Sequence, residues 1–216
     1  REERQFGQIS WSKSSLSRMQ YNQFRGKNSD AVHGLLRGEL KRKDLVYGCF
    51  ERIRERESEI RAFTSLGSPE TADQFEQTLP LRGLPVAVKD LYDTCQFPTA
   101  YGSAAYVDHR PLADAALVAL IRKRGATILG KTVTTEFAFS HPGPTRNPLS
   151  TEHTPGGSSS GSAAAVGSGM ALFALGTQTA GSIVRPASFC GVAGFKPSFG
   201  LWPTNGMKSF SWSLDT

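Results

Sequence analysis

The chain is poor in cysteine. Its 216 residues hold three, Cys49, Cys95 and Cys190, scattered and with no CxxC pair. An odd, dispersed set excludes a disulfide framework and points to a reducing compartment, so a cytoplasmic location is expected. Long apolar runs are also missing. No stretch approaches the roughly 18 residues that a membrane span needs. Arg1 to Phe6 is charged and lacks the apolar core of a secretory signal. No 20–50-residue repeat recurs. Histidine is scarce and lies early: His33, His109, His141 and His153, with none after that.

What is present is near the globular average, with 38% hydrophobic and 20% charged residues. The length suits one domain with an appendage. The net charge of +6 is uneven, because residues 1–28 carry six Lys/Arg against Glu2 and Glu3. This basic N-terminal arm has no nucleic-acid motif beside it and reads as a solvated terminus. The main domain is expected over 29–216.

Hydrophobic spacing gives the elements. Ser29-Asp30 starts a helix carrying Ala31, Val32, Leu35 and Leu36. A second helix runs from Lys43 to Ile60, with Leu45, Val46, Cys49, Phe50 and Ile53 on one face. Arg61 to Leu66 reads as a strand, and 67–80 has no clear period. Leu84–Val88 and Ala126–Leu129 are short apolar runs, expected as buried strands, and Leu112–Arg124 between them is an amphipathic helix closed by Gly125. Strands alternating with helices predict an α/β fold, a sheet covered by helices. Past residue 140 the texture changes: 156–200 holds ten of the 22 glycines and eight serines. The runs Ala163–Val166 and Ala171–Leu175 have the composition of buried strands, which excludes a flexible linker.

Two apparent motifs fail on context. Gly125–Thr132 matches a phosphate-binding loop letter for letter. However, its central residues read as strand, a helix precedes it, and β-branched Thr132-Val133-Thr134-Thr135 follows the lysine. Gly157-Ser158-Ser159-Ser160-Gly161 matches a nucleophile elbow. A helix could follow through Ser162 to Met170, but a loop precedes it and no later histidine could complete a triad.

A third constellation has three parts. Lys89 ends the Pro85–Val88 run, Gly156–Ser162 is a serine-rich turn, and Gly176-Thr177-Gln178-Thr179-Ala180-Gly181-Ser182 ends in a serine on a small-residue loop. Alone, each is an ordinary strand end, turn or cap. Together with Pro186-Ala187-Ser188-Phe189-Cys190-Gly191 and Gly194-Phe195-Lys196-Pro197, their order and spacing resemble the amidase signature family. The resemblance covers about 29–216.

That resemblance implies an α/β/α fold whose mixed sheet is covered by helices on both faces, incomplete in this chain because family members run about twice as long. It implies an amidohydrolase with a Ser–cis-Ser–Lys triad, whose positions match Ser182 as nucleophile, Ser158 as bridging serine in a cis peptide, and Lys89 as base. A serine hydroxyl needs a base to become a good nucleophile, and a buried lysine can be that base because burial disfavours its charged form. Ser158 can accept and donate at once, and so relay the proton. The backbone N–H groups of Thr179, Ala180, Gly181 and Ser182 match the oxyanion hole. Thr177 and Gln178 are supporting residues, Thr177 holding the lysine. No metal or organic cofactor is needed. The expected partner is a small-molecule amide, with no membrane contact; a homodimer and a separate chain supplying the rest of the domain stay open. So do a non-catalytic or accessory amidase-like role and the role of an A-type subunit of a glutamine amidotransferase working with tRNA. The chain departs from the family where Gln178 replaces a frequent Asp and Ala180 a Gly, and where Arg185 lies three residues past Ser182 rather than two.

Overall fold

The computed structural model describes residues 28–70 and 79–216. The basic arm lies outside them, Asn28 excepted.

Helix α1 (Asn28–Arg37) has Asp30 in its first turn and buries Ala31 and Leu35. Gly38 closes it at φ 77°, a left-handed position that suits glycine. Helix α2 (Arg42–Ile60) buries Leu45, Val46, Cys49, Phe50 and Ile53, the stripe that the sequence predicted, and Ile60 at its end. It ends on Arg61 at φ 56°, whose N–H returns to the Glu57 carbonyl at 2.9 Å. Arg61 is therefore a helix cap, and the strand predicted from it starts two residues later. The Glu57 carboxylate makes the corner by accepting the Ala62 N–H at 3.0 Å and the Phe63 N–H at 2.8 Å.

Among the described residues the sheet has four strands in the order β1-β3-β2-β4 and is mixed. Strand β2 (Pro85–Lys89) is buried at every residue and pairs in parallel with both neighbours, β3 (Thr127–Thr132) and β4 (Phe173–Leu175). Strand β1 (Phe63–Leu66) joins β3 antiparallel. A continuous apolar run suits a strand covered on both faces. β3 reaches three residues beyond the predicted Leu129, so Gly130, Lys131 and Thr132 are strand residues. A Cβ on Gly130 would lie 2.2 Å from the Ser65 carbonyl, so glycine here lets β1 approach. The apparent phosphate loop is thus a buried strand.

The register decides where the charged side chains go. A bulge between Val86 and Ala87 resets the pairing, after which Val88 opposes Lys131 and Lys89 opposes Thr132. Side chains alternate along a strand, so Lys89 and Lys131 leave the sheet on opposite faces.

Helix α3 (Ala116–Lys123) begins four residues later than the apolar spacing suggested. Leu112 is fully exposed, and Asp114 instead accepts the Cys95 N–H at 2.9 Å and pairs with Arg122 at 2.8 Å. Helix α4 (Ser160–Gly167) packs on β2, β3 and β4. Ala163–Val166 is therefore helical: its small side chains let a helix lie close to the sheet. A Cβ on Gly161 would meet the Ala62 carbonyl at 2.3 Å and the Val133 nitrogen at 2.4 Å. Helix α5 (Val184–Phe189) is the last helix among the described residues. Among the described residues no helix is long and apolar enough to cross a membrane, and no cluster of His, Cys, Asp or Glu is placed to hold a metal.

Candidate active site

The site forms where the end of β2 meets two loops. Lys89, the last residue of β2, is 0% exposed. Its Nζ donates to Ser158 Oγ and to Thr177 Oγ1, both at 2.7 Å, and lies 3.5 Å from the Thr177 carbonyl. Among the described residues, no carboxylate pairs with it directly. Burial holds its pKa well below the usual lysine value, and the more distant Asp215 charge opposes this only in part. A solvent-free amine whose charged form is disfavoured by burial, bonded to two hydroxyls, is placed to exchange a proton with them.

Ser158 lies on the serine-rich turn, and the Gly157–Ser158 peptide bond is cis. The Gly157 carbonyl accepts from Arg185 Nε at 3.1 Å and Nη2 at 2.6 Å, so α5 clamps this turn. The other serines have structural partners. Ser159 Oγ donates to the Thr177 carbonyl and accepts the Thr177 N–H, both at 3.2 Å. Ser160 Oγ donates to the Val133 carbonyl at 3.2 Å, and Ser162 Oγ donates to the Leu175 carbonyl at 2.9 Å. The elbow serine, Ser159, is thus buried and occupied in joining the two loops.

The second loop carries Ser182. Its carbonyl accepts the Ser159 N–H at 3.2 Å, which sets its backbone against the cis turn. Ser182 is half-buried. Its hydroxyl has no hydrogen-bond partner among the described residues and no bond to Ser158 Oγ. Lys89, Ser158 and Thr177 are therefore in direct contact, while Ser182 lies alongside.

Gln178 shapes this loop. Its Oε1 accepts the Ile183 N–H at 2.8 Å and the Val184 N–H at 3.0 Å, and its Nε2 donates to the Ala180 carbonyl at 2.9 Å. This uses the N–H groups after Ser182 and leaves those before it. Among the described residues, the N–H groups of Thr179, Ala180, Gly181 and Ser182 donate to no acceptor. Ala180 is exposed, so a ligand can reach them. Consecutive unpaired N–H groups are donors that an anion can use.

Sequence reasoning missed two buried groups. One is the Lys131–Asp90 ion pair on the other face of the sheet, 2.9 Å apart, with Thr99 Oγ1 at 2.7 Å from the ammonium. A lysine inside an apolar strand was its only sequence signal. The other is Asp215, whose Oδ1 accepts from Thr179 Oγ1 across 36 residues of sequence.

Fold and site together define an α/β protein with a buried lysine joined to two hydroxyl-bearing loops. The Amidase family model matches residues 45–216, and the chain belongs to that family. It is 40% identical over 202 residues to the A-type subunit of glutamyl-tRNA(Gln) amidotransferase from Salinibacter ruber, covering 87% of this chain and 39% of that protein. Of solved structures, the A-type amidotransferase subunit of the same name from Thermotoga maritima superposes with TM-score 0.76 at 38% identity, over 81% of this chain and 39% of the other. The native peptide amidase of Stenotrophomonas maltophilia gives TM-score 0.77 at 36% identity, over 88% of this chain and 43% of the other. The chain thus spans about two fifths of the length of the relatives it matches.

Proposed function

We propose that this chain carries the catalytic groups of an amide-cleaving serine hydrolase, with Ser182 as nucleophile, Ser158 as proton relay and Lys89 as base. The observation that carries this reading is the fully buried Lys89 amine, bonded to Ser158 on a turn whose neighbour Ser159 is tied to Ser182. Ser182 Oγ attacks the amide carbonyl carbon while its proton passes to Ser158, and the Ser158 proton passes to Lys89. The oxyanion is met by the N–H groups of 179–182, each such donor being worth about 3–4 kcal/mol in the transition state. As the C–N bond breaks, Ser158 returns a proton to the leaving nitrogen. Water, activated by the same relay, then hydrolyses the acyl-serine. No metal or organic cofactor takes part.

Labelling of the full-length protein with a fluorophosphonate tests this. The expected result is one adduct, on Ser182, lost in Lys89→Ala. Its rate falls on acidification as Lys89 takes up a proton, along a limb well below the ordinary lysine pKa of 10.5. An adduct on Ser159, or labelling unaffected by Lys89→Ala, refutes the assignment.

A second reading is favoured by the relatives that are A-type subunits of glutamyl-tRNA(Gln) amidotransferase. In it, the same acyl-serine forms from glutamine, and the ammonia released passes to a tRNA-bound acceptor. Glutamine turnover stimulated by that tRNA in the presence of partner proteins supports it. Failure to bind tRNA at low salt counts against it.

A further inference from the structure

Asp215 stands where two segments meet, its own turn and the 178–182 loop. Its Oδ2 accepts from Ser209 Oγ at 3.0 Å, the Phe210 N–H at 2.6 Å and the Ser211 N–H at 2.8 Å, which fixes the carboxylate in its own turn. Its Oδ1 is left for Thr179 Oγ1. The next residue extends the link: Thr216 and Gln178 exchange both backbone hydrogen bonds, at 3.0 and 3.1 Å. Four donors converge on this buried carboxylate, and among the described residues no cation is ion-paired with it. A carboxyl that only accepts hydrogen bonds is held ionised.

Its charge is therefore a fixed part of the site. The groups around Lys89 are the Ser158 and Thr177 hydroxyls and the Thr177 carbonyl. Tyr92 follows β2 and donates to the Gly176 carbonyl at 3.1 Å. Asp90 and Lys131 lie across the sheet and pair with each other. Among the described residues, Asp215 is the charge that works against burial at Lys89, and it also pushes the already buried Tyr92 phenol further up.

We propose that Asp215 is a positioning residue of this site, holding the 178–182 segment through Thr179 and setting a fixed negative charge within electrostatic reach of the Lys89 amine. This rests on the serine-hydrolase reading above. Two effects follow. The Thr179 link aims the free N–H groups, and the charge sets how readily Lys89 holds a proton.

The test is the rate of fluorophosphonate labelling against pH in the full-length protein, for wild type, Asp215→Asn, Thr179→Val and the double variant, with folding checked by circular dichroism. Asp215→Asn is expected to move the acid limb to lower pH, because Lys89 loses its stabilising charge, and to lower the plateau about tenfold or more. Thr179→Val is expected to lower the plateau and leave the limb in place. The double variant is expected to label no more slowly than Asp215→Asn. A limb shift does not arise from a smaller folded fraction, so it separates this role from a structural one. An unmoved limb with a plateau within twofold of wild type overturns the proposal. If Asp215→Asn fails to fold, wild-type labelling in Thr179→Val overturns it. Absence of a Ser182 adduct in the wild type defeats the underlying reading, whereas a labelled wild type with unaltered variants defeats only this inference.

Discussion

Lys131→Met is the sharpest test of how the sheet is held together. The ammonium of Lys131 and the carboxylate of Asp90 are 0% and 1% exposed and 2.9 Å apart, with Thr99 Oγ1 2.7 Å from the nitrogen. Methionine fills nearly the same space and removes only the charge and its hydrogen bonds. Asp90 would keep the Ala100 N–H, at 3.1 Å, as its partner. Removing one member of a buried pair costs about 3–5 kcal/mol, because the other charge stays buried without compensation. Burial already pushes Asp90 up and Lys131 down, each attraction to the other offsetting part of this. Without Lys131, Asp90 rises further and takes up a proton when folded. The unfolded chain releases that proton near the ordinary value of 3.8, so the variant loses stability as pH rises from there to the folded pKa. The cost is therefore small at low pH and full in alkali. Urea unfolding of the full-length protein at pH 5 and pH 8 measures it, and Lys131→Met/Asp90→Asn should recover much of the loss by removing the orphaned charge. A cost below about 1 kcal/mol at pH 8, or a double variant as unstable as the sum of the singles, refutes the reasoning.

Other outcomes follow from the same geometry. Burial raises Glu57 from 4.5 to about 7 despite its two backbone donors. The unfolded chain then gives up its proton first, so stability is full below about 4.5 and falls as pH rises to about 7, by about 3 kcal/mol. Glu57→Gln should flatten that slope in urea titrations, and an unchanged slope assigns it elsewhere. Gly161→Ala would drive a Cβ to 2.3 Å from the Ala62 carbonyl, and backbone cannot yield as a side chain can. A loss of about 3 kcal/mol or more is expected, and a thermal midpoint equal to wild type contradicts the packing.

Legibility followed sequence distance. Lys89 at the end of a buried strand was readable because an apolar run of five residues ends on a charge. The α2 stripe was readable from its period. The false phosphate loop was rejected on local grounds, and Gly130 supplies the reason it is glycine: the approach of β1. The start of α3 was misplaced because Leu112 continues the apolar spacing while standing in solvent, and Asp114 pairs with residues before and after it. The helical state of Ala163–Val166 could not be separated from strand by composition, since small apolar residues suit either. Asp215 was invisible, as its partners Ser209, Phe210 and Ser211 look like any turn and Thr179 is far away in sequence. The free N–H groups of 179–182 depend on where Gln178 turns its amide, which no pattern of letters reveals.

The bulge between Val86 and Ala87 is a phase setter. The extra residue is Leu129 on β3, so it decides which face each later residue of β3 meets, and the sheet works as a partition with a solvent-free amine on one side and an ion pair on the other. One residue inserted or deleted between Ala87 and Lys89 would turn Lys89 to the ion-pair side, and loss of the extra residue Leu129 would bring Lys131 to the face that Lys89 uses. Apolar identity along β2 is open to exchange among residues of similar volume. Its count is not, so the chemistry of this site is guarded by a length.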